Sequence, residues 1–161
     1  MPREYRHRRR VQFYETDLVG IVHFSWYFRY MEEAEHALWR ASGLSIADPA
    51  SPVGFPRVAA TCDYQAPLRF EDEVEIVVRI ESINKRSIKY ACTIVRGEMT
   101  VATGTLTAAC IDKTSTSPFT PVAIPDEIEQ KLTTKDTRRQ GDKVLPRVLV
   151  ASFPRYLVSC I

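Results

Sequence analysis

The 161-residue chain has only four cysteines and three histidines, and neither set is arranged to hold a metal. Cys62, Cys92, Cys110 and Cys160 stand 30, 18 and 50 positions apart, with no Cys-x-x-Cys pair. That spacing argues against zinc-ribbon and dithiol redox chemistry and fits reduced thiols serving as small apolar groups in a cytoplasmic protein. His7, His23 and His36 also lack zinc spacing, so no metal is expected. There is no Gly-x-Ser-x-Gly, no Walker loop and no Gly-x-Gly-x-x-Gly. The nucleophile-elbow, nucleotide-phosphate and dinucleotide readings fall with them. No apolar run approaches the roughly 18–20 residues of a transmembrane helix, so no membrane partner is expected. The arginine-rich start is not followed by an apolar stretch, so no secretory signal is expected.

What is present is one domain's worth of chain, 45% apolar and 26% charged, enough to bury about 70% of its unfolded surface around one core. The net charge of +2 hides an asymmetry. Residues 1–10 carry five Arg and one Glu (+4), residues 131–161 carry seven basic and two acidic groups (+5), and residues 11–130 are therefore −7. An acidic body without a nucleic-acid-binding motif gives no support for a nucleic-acid partner. Residues 1–9 are too charged for a core element and read as a basic N-terminal arm.

Val11 and Phe13 alternate with polar neighbours, the period of a half-buried strand, and Thr16–Gly20 reads as a loop. Over 26–42 the apolar residues Tyr27, Phe28, Met31, Ala34, Leu38 and Ala41 recur at helical spacing. Ser25 is placed to cap that helix and Gly43 to stop it. Glu32, Glu33 and Glu35 read as its solvated face. Three prolines mark 45–57 as a connector. Then come strands at 58–64, 73–83, 88–95 and 100–111, the last three joined by short turns into an antiparallel meander. Pro125-Asp126-Glu127 opens a short helix. The order implies an α+β architecture, one long helix against an antiparallel sheet of about five strands. Open sheet edges invite pairing with a second copy.

One segment carries chemistry. Asp17 leaves a strand, enters a glycine-containing loop and lies just before the long helix. A helix N-terminus offers unpaired N–H groups and about half a positive charge, which polarise a carbonyl placed there. A carboxylate on the other side of that carbonyl can attack it or activate water. The competing reading is that Asp17 caps a turn.

The run Tyr14-x-x-Asp17-x-x-Gly20-Ile21-Val22-His23-x-x-x-Tyr27 resembles hotdog-fold thioesterases of the 4-hydroxybenzoyl-CoA thioesterase type. Asp63–Asp72 and Phe119–Ile128 resemble later blocks of that family, and the likeness covers roughly 8–132. The resemblance implies a hotdog fold over 10–132, with one long central helix wrapped by the sheet, and leaves 133–161 as an extension of unknown role. It implies hydrolysis of an acyl- or aryl-CoA thioester, with Asp17 as nucleophile or general base and the Phe24 backbone N–H receiving the thioester oxygen. His23 either takes part in binding and proton handling or orients the loop; many relatives carry another His or polar residue where this chain has Phe24. Gly20, Val22, Ser25 and Tyr27 are implied to meet substrate. A second hotdog subgroup carries its acid on the helix, which makes Glu32, Glu33 and Glu35 reserve candidates.

No cofactor is expected, since CoA is part of the substrate. Its phosphates want Lys or Arg, and Arg69, Lys85 and Arg86, with Lys89, are the candidates. Self-association as a homodimer, with a homotetramer favoured, is expected. A non-catalytic acyl-thioester or carrier-protein binding module, or an acyl-carrier-protein thioesterase, would use the same pocket.

Overall fold

A computed structural model describes residues 4–117 and 119–134. The extension expected over 133–161 falls outside the described residues from 135 onward, and Cys160 with it. The elements are β1 (Glu4–Arg10), α1 (Trp26–Ala41), β2 (Val53–Gly54), β3 (Arg57–Tyr64), β4 (Glu73–Asn84), β5 (Ser87–Arg96), β6 (Met99–Ala109), β7 (Ile111–Asp112) and α2 (Asp126–Thr133). Five strands form one sheet in the order β1-β4-β5-β6-β3, every neighbouring pair antiparallel. The described chain thus carries two helices on an antiparallel sheet, the 16-residue α1 and the 8-residue α2.

Period-two burial builds the core. Ile76, Val78 and Ile80 of β4, Ile88, Tyr90, Cys92 and Ile94 of β5, and Leu106 and Ala108 of β6 are all buried. Onto them α1 lays Tyr27, Tyr30, Met31, Ala34 and Leu38, the residues spaced by three and four. Trp39 Nε1 donates to the Tyr90 hydroxyl at 2.9 Å, so the largest ring in the core keeps its polar atom satisfied. The helix stops as its sequence implies. Gly43 takes φ +70°, and the Leu44 and Gly43 amides return to the Trp39 and Arg40 carbonyls, each at 3.0 Å, a Schellman ending.

Two expectations are corrected. The charged stretch read as a solvated arm is the edge strand β1, while the strand expected from Val11 to Tyr14 contains a 3-10 turn at Phe13–Glu15. The arginines can enter a sheet because the facing strand is acidic. Arg6 and Arg8 reach Glu75 at 2.9 and 3.0 Å, and Arg10 reaches Glu73 at 2.6 Å. The second correction concerns the helix face. Glu35 is fully buried, where the Arg57 guanidinium meets both of its oxygens. Helical position alone did not reveal that a cation waits at the start of β3.

Two outcomes follow from this packing. A Cβ at position 104 would lie 2.6 Å from Met31 Cε and against the Thr61 carbonyl. Gly104→Ala is therefore expected to cost about 1–3 kcal/mol of stability by overpacking, measured by urea unfolding. The second is a pH dependence. Hydrogen bonding from Arg8 above all, with Arg6 adding to it, holds the Glu75 carboxyl below its ordinary pKa of 4.5. A lowered folded-state value gives a stabilisation that is present above the unfolded value and lost as pH falls through the folded one. Between pH 5 and 3 the wild type should lose more stability than Glu75→Gln, and parallel unfolding curves would refute this.

Candidate active site

The site is a hairpin-like loop between β1 and α1. The Asp17 N–H donates to the Ile21 carbonyl at 2.9 Å, and the Gly20 N–H returns to the Asp17 carbonyl at 2.9 Å. Gly20 closes this turn at φ +77°, a conformation that disfavours a side chain. Thr16 and Val22 form a bridge across the loop. The His23 N–H closes its base by donating to the Glu15 carbonyl at 2.9 Å, and the Val22 N–H ties it to the Leu68 carbonyl at 2.8 Å. Asp17 does make a turn contact, since its Oδ1 accepts the Val19 N–H at 2.8 Å. That bond engages one carboxylate oxygen, so the turn reading and the chemical reading are compatible.

At the start of α1 the expected cap is absent. Ser25 has helical dihedrals and makes no side-chain cap bond; its Oγ lies 2.9 Å from His23 Nδ1 instead. The Trp26 N–H is taken by the His23 carbonyl at 3.0 Å. Among the described residues nothing accepts the Phe24 N–H, whereas the Phe24 carbonyl accepts the Tyr64 hydroxyl at 3.2 Å. The helix entry thus keeps an amide donor without a protein partner among the described residues.

Asp17, Val22, Phe24 and Tyr27 line one cavity of about 370 Å³, joined by Tyr64, Gln65 and Pro67 from the end of β3 and the loop after it. Tyr27 and Tyr64 meet edge to face with centroids 5.0 Å apart, giving the cavity an aromatic wall. Burial above all pushes the Tyr64 phenol up to about 12, so it remains a donor at neutral pH. Tyr64, Gln65 and Pro67 fall within the Asp63–Asp72 block that resembles the family, but none of them was named as a site residue. Tyr64 ends a strand whose sequence alternation is ordinary and Gln65 and Pro67 follow it in the loop, and only the pairing of β3 with β6 brings them beside the Asp17 loop.

The remaining candidates divide. Arg69 stands at the loop, with Nη1 3.5 Å from the Gly20 carbonyl. Lys85 and Arg86 do not join it. Their turn lies at the other end of the sheet: Tyr64 pairs with Ala102, while Ser87 pairs with Ala109, seven residues further along β6, or roughly 23 Å. Lys89 is there too and pairs with Glu81 at 2.8 Å. The reserve acids are engaged elsewhere: Glu32 by Arg29 at 3.0 Å, Glu33 by Arg9 at 2.7 Å, and Glu35 by Arg57. A larger cavity of about 690 Å³ lies along β1, but its Arg8 and Arg10 are already paired with Glu75 and Glu73. Among the described residues no group of three His, Cys, Asp or Glu could hold a metal ion, and no helix is long and apolar enough to cross a membrane.

Comparison with known proteins places this geometry in context. The family model described as the thioesterase-like superfamily matches residues 11–132. A 1,4-dihydroxy-2-naphthoyl-CoA hydrolase of Nostoc punctiforme is 29% identical over 141 residues, covering 85% of this chain and 92% of that protein. An acyl-CoA thioester hydrolase of Escherichia coli is 30% identical over 124 residues, covering 75% and 92%. A crystal structure from Aquifex aeolicus superposes with a TM-score of 0.74 at 30% identity, covering 80% of this chain and 98% of the other.

The Tyr64 hydroxyl holds the peptide at the helix entry through one exposed hydrogen bond, worth about 1 kcal/mol or roughly fivefold. Tyr64→Phe should lower catalytic turnover by about that factor, with a melting temperature lowered by no more than about 2–4 °C. Full turnover in the variant, measured beside its thermal unfolding, would show that the bond has no role in the site.

Proposed function

The chain belongs to the thioesterase-like superfamily, and from that premise we propose that it hydrolyses an acyl- or aryl-CoA thioester to free acid and CoA. The observation that carries this reading is that Asp17 and Phe24, whose N–H has no acceptor among the described residues, line one aromatic-walled cavity at the start of α1. The thioester oxygen takes the Phe24 N–H, where the α1 dipole favours the negative charge that develops on it. Asp17 then either attacks the carbonyl carbon, expelling the CoA thiolate and leaving a mixed anhydride that water hydrolyses, or takes a proton from a water that attacks the carbon directly. The departing thiolate needs little acid assistance. His23, hydrogen-bonded to Ser25 at the loop base, accordingly orients the loop in this mechanism. Phe24, Tyr27 and Tyr64 favour a flat aryl or a short acyl group. The names of the Nostoc punctiforme and Escherichia coli relatives support CoA as the leaving group.

The fold reading is a hotdog, with α1 as the central helix held in the sheet. A homodimer completes it. Of the two sheet edges, β1 is lined with charges that discourage pairing, whereas β3 is uncharged from Val58 to Cys62. Val58 on that edge is 61% exposed. Two β3 edges joined antiparallel carry the Lys85–Arg86 turn of one protomer towards the Asp17 cavity of the other, where CoA phosphates need cations. Arg69 at the loop supplies a cation from the same protomer. The free thiols of Cys62, Cys92 and Cys110 fit a cytoplasmic setting.

A panel of acyl-CoAs assayed by thiol release tests the proposal. Asp17→Asn should reduce turnover by at least about 100-fold, the scale of losing a key acid–base group. Unchanged turnover would remove Asp17 from the mechanism. Tight thioester binding by the wild type without release would instead identify a binding module.

A further inference from the structure

Beneath the loop lies a buried charged cluster for which the reaction itself has no use. The Glu15 side chain is 1% exposed and receives three donors. The Arg9 guanidinium comes from β1, the Tyr30 hydroxyl comes from the second turn of α1 at 2.8 Å, and the Gln12 backbone N–H donates at 2.8 Å. Arg9 is itself fixed from two more directions. Its Nη1 reaches both oxygens of Glu33 at 2.7 Å, and its guanidinium carbon lies 4.0 Å from the Tyr30 ring centroid. Burial above all keeps the Tyr30 phenol well above its ordinary pKa, so it acts as a donor throughout the neutral range.

A carboxylate held this deeply against a guanidinium needs all of its partners, because each one lost leaves a buried polar group unsatisfied. The same residue closes the base of the loop through its backbone, where its carbonyl takes the His23 N–H at 2.9 Å. Asp17 is two residues beyond Glu15, and Phe24 follows His23 directly. Both arms of the site therefore start from one residue, and that residue is clamped to the sheet by Arg9 and to the helix by Tyr30.

We infer that Glu15, held by Arg9 and Tyr30, is a positioning residue that sets Asp17 against the Phe24 N–H. This inference rests on the thioesterase reading above. Glu15 does not line the cavity, so it acts through the loop. Its loss should affect the transition state more than the binding of substrate.

The test is thiol-release kinetics on Tyr30→Phe, Glu15→Gln, Asp17→Asn and the two double variants that include Asp17→Asn. Tyr30→Phe and Glu15→Gln should each lower kcat by about tenfold with KM within about twofold, as expected for displaced catalytic groups. In the Asp17→Asn background neither change should lower kcat by more than about twofold further, because its effect passes through Asp17. Losses that multiply in the double variants, an unchanged kcat in both single variants, or a rise in KM at constant kcat would each overturn the assignment. Tyr30→Phe retains the ring and its packing, so it tests the point even if Glu15→Gln fails to fold. Failure of the thioesterase reading is distinguished by the wild type itself, which would then bind a thioester without releasing thiol, whereas wild-type turnover in Asp17→Asn would remove only Asp17 from the mechanism.

Discussion

The hydrogen bond from the His23 amide to the Glu15 carbonyl, 2.9 Å long, closes the loop on which the rest of the site depends. On one side of it the chain turns through Asp17 and Gly20; on the other it enters α1 without a side-chain cap. A capping serine would bond one amide two or three residues further along the helix. Ser25 is turned to His23 instead, and no group among the described residues accepts the Phe24 N–H. The cost of an uncapped helix entry, about 1 kcal/mol, is small beside the transition-state stabilisation that one oxyanion donor can provide, about 3–4 kcal/mol. The packing of α1 on the sheet makes the helix stable enough to carry that cost.

The charge asymmetry of the sequence becomes structural pairing at one end of the chain. The arginines of β1 face Glu73 and Glu75 of β4 outside the sheet, and Arg9 faces Glu15 and Glu33 on the side towards α1. Acids that contribute to the −7 of the body and arginines that make up the +4 of residues 1–10 therefore meet in the same contacts. Exposed pairs of this kind add little stability. They do let a strongly basic segment take an edge position without exposing an apolar strand to wrong partners.

The long helix, the β4–β6 meander and the loop at Asp17 were legible because each is specified locally, by period, turn residues or a motif. β1 was not, since its strand character depends on acids about seventy positions away. Glu35 was misread because its charge outweighed its position, four residues after buried Met31 and three before buried Leu38; the cation that lets it stay there, Arg57, comes from β3. Tyr64 joined the cavity through strand pairing, which no local pattern announces. Lys85 and Arg86 were correctly placed at a turn, yet that turn is at the far end of the same protomer's sheet, and only a second copy can bring such residues to this cavity.

The central claim is that a thioester carbonyl sits between Asp17 and the start of α1. It is tested most directly by a crystal structure with a non-hydrolysable CoA ketone, in which a methylene separates the sulfur from the acyl carbonyl. The account predicts the ketone oxygen within about 3 Å of the Phe24 amide nitrogen, with the Asp17 carboxylate facing the carbonyl carbon. A ketone bound with its oxygen away from the helix start, and with Asp17 out of reach of the carbon, would contradict it.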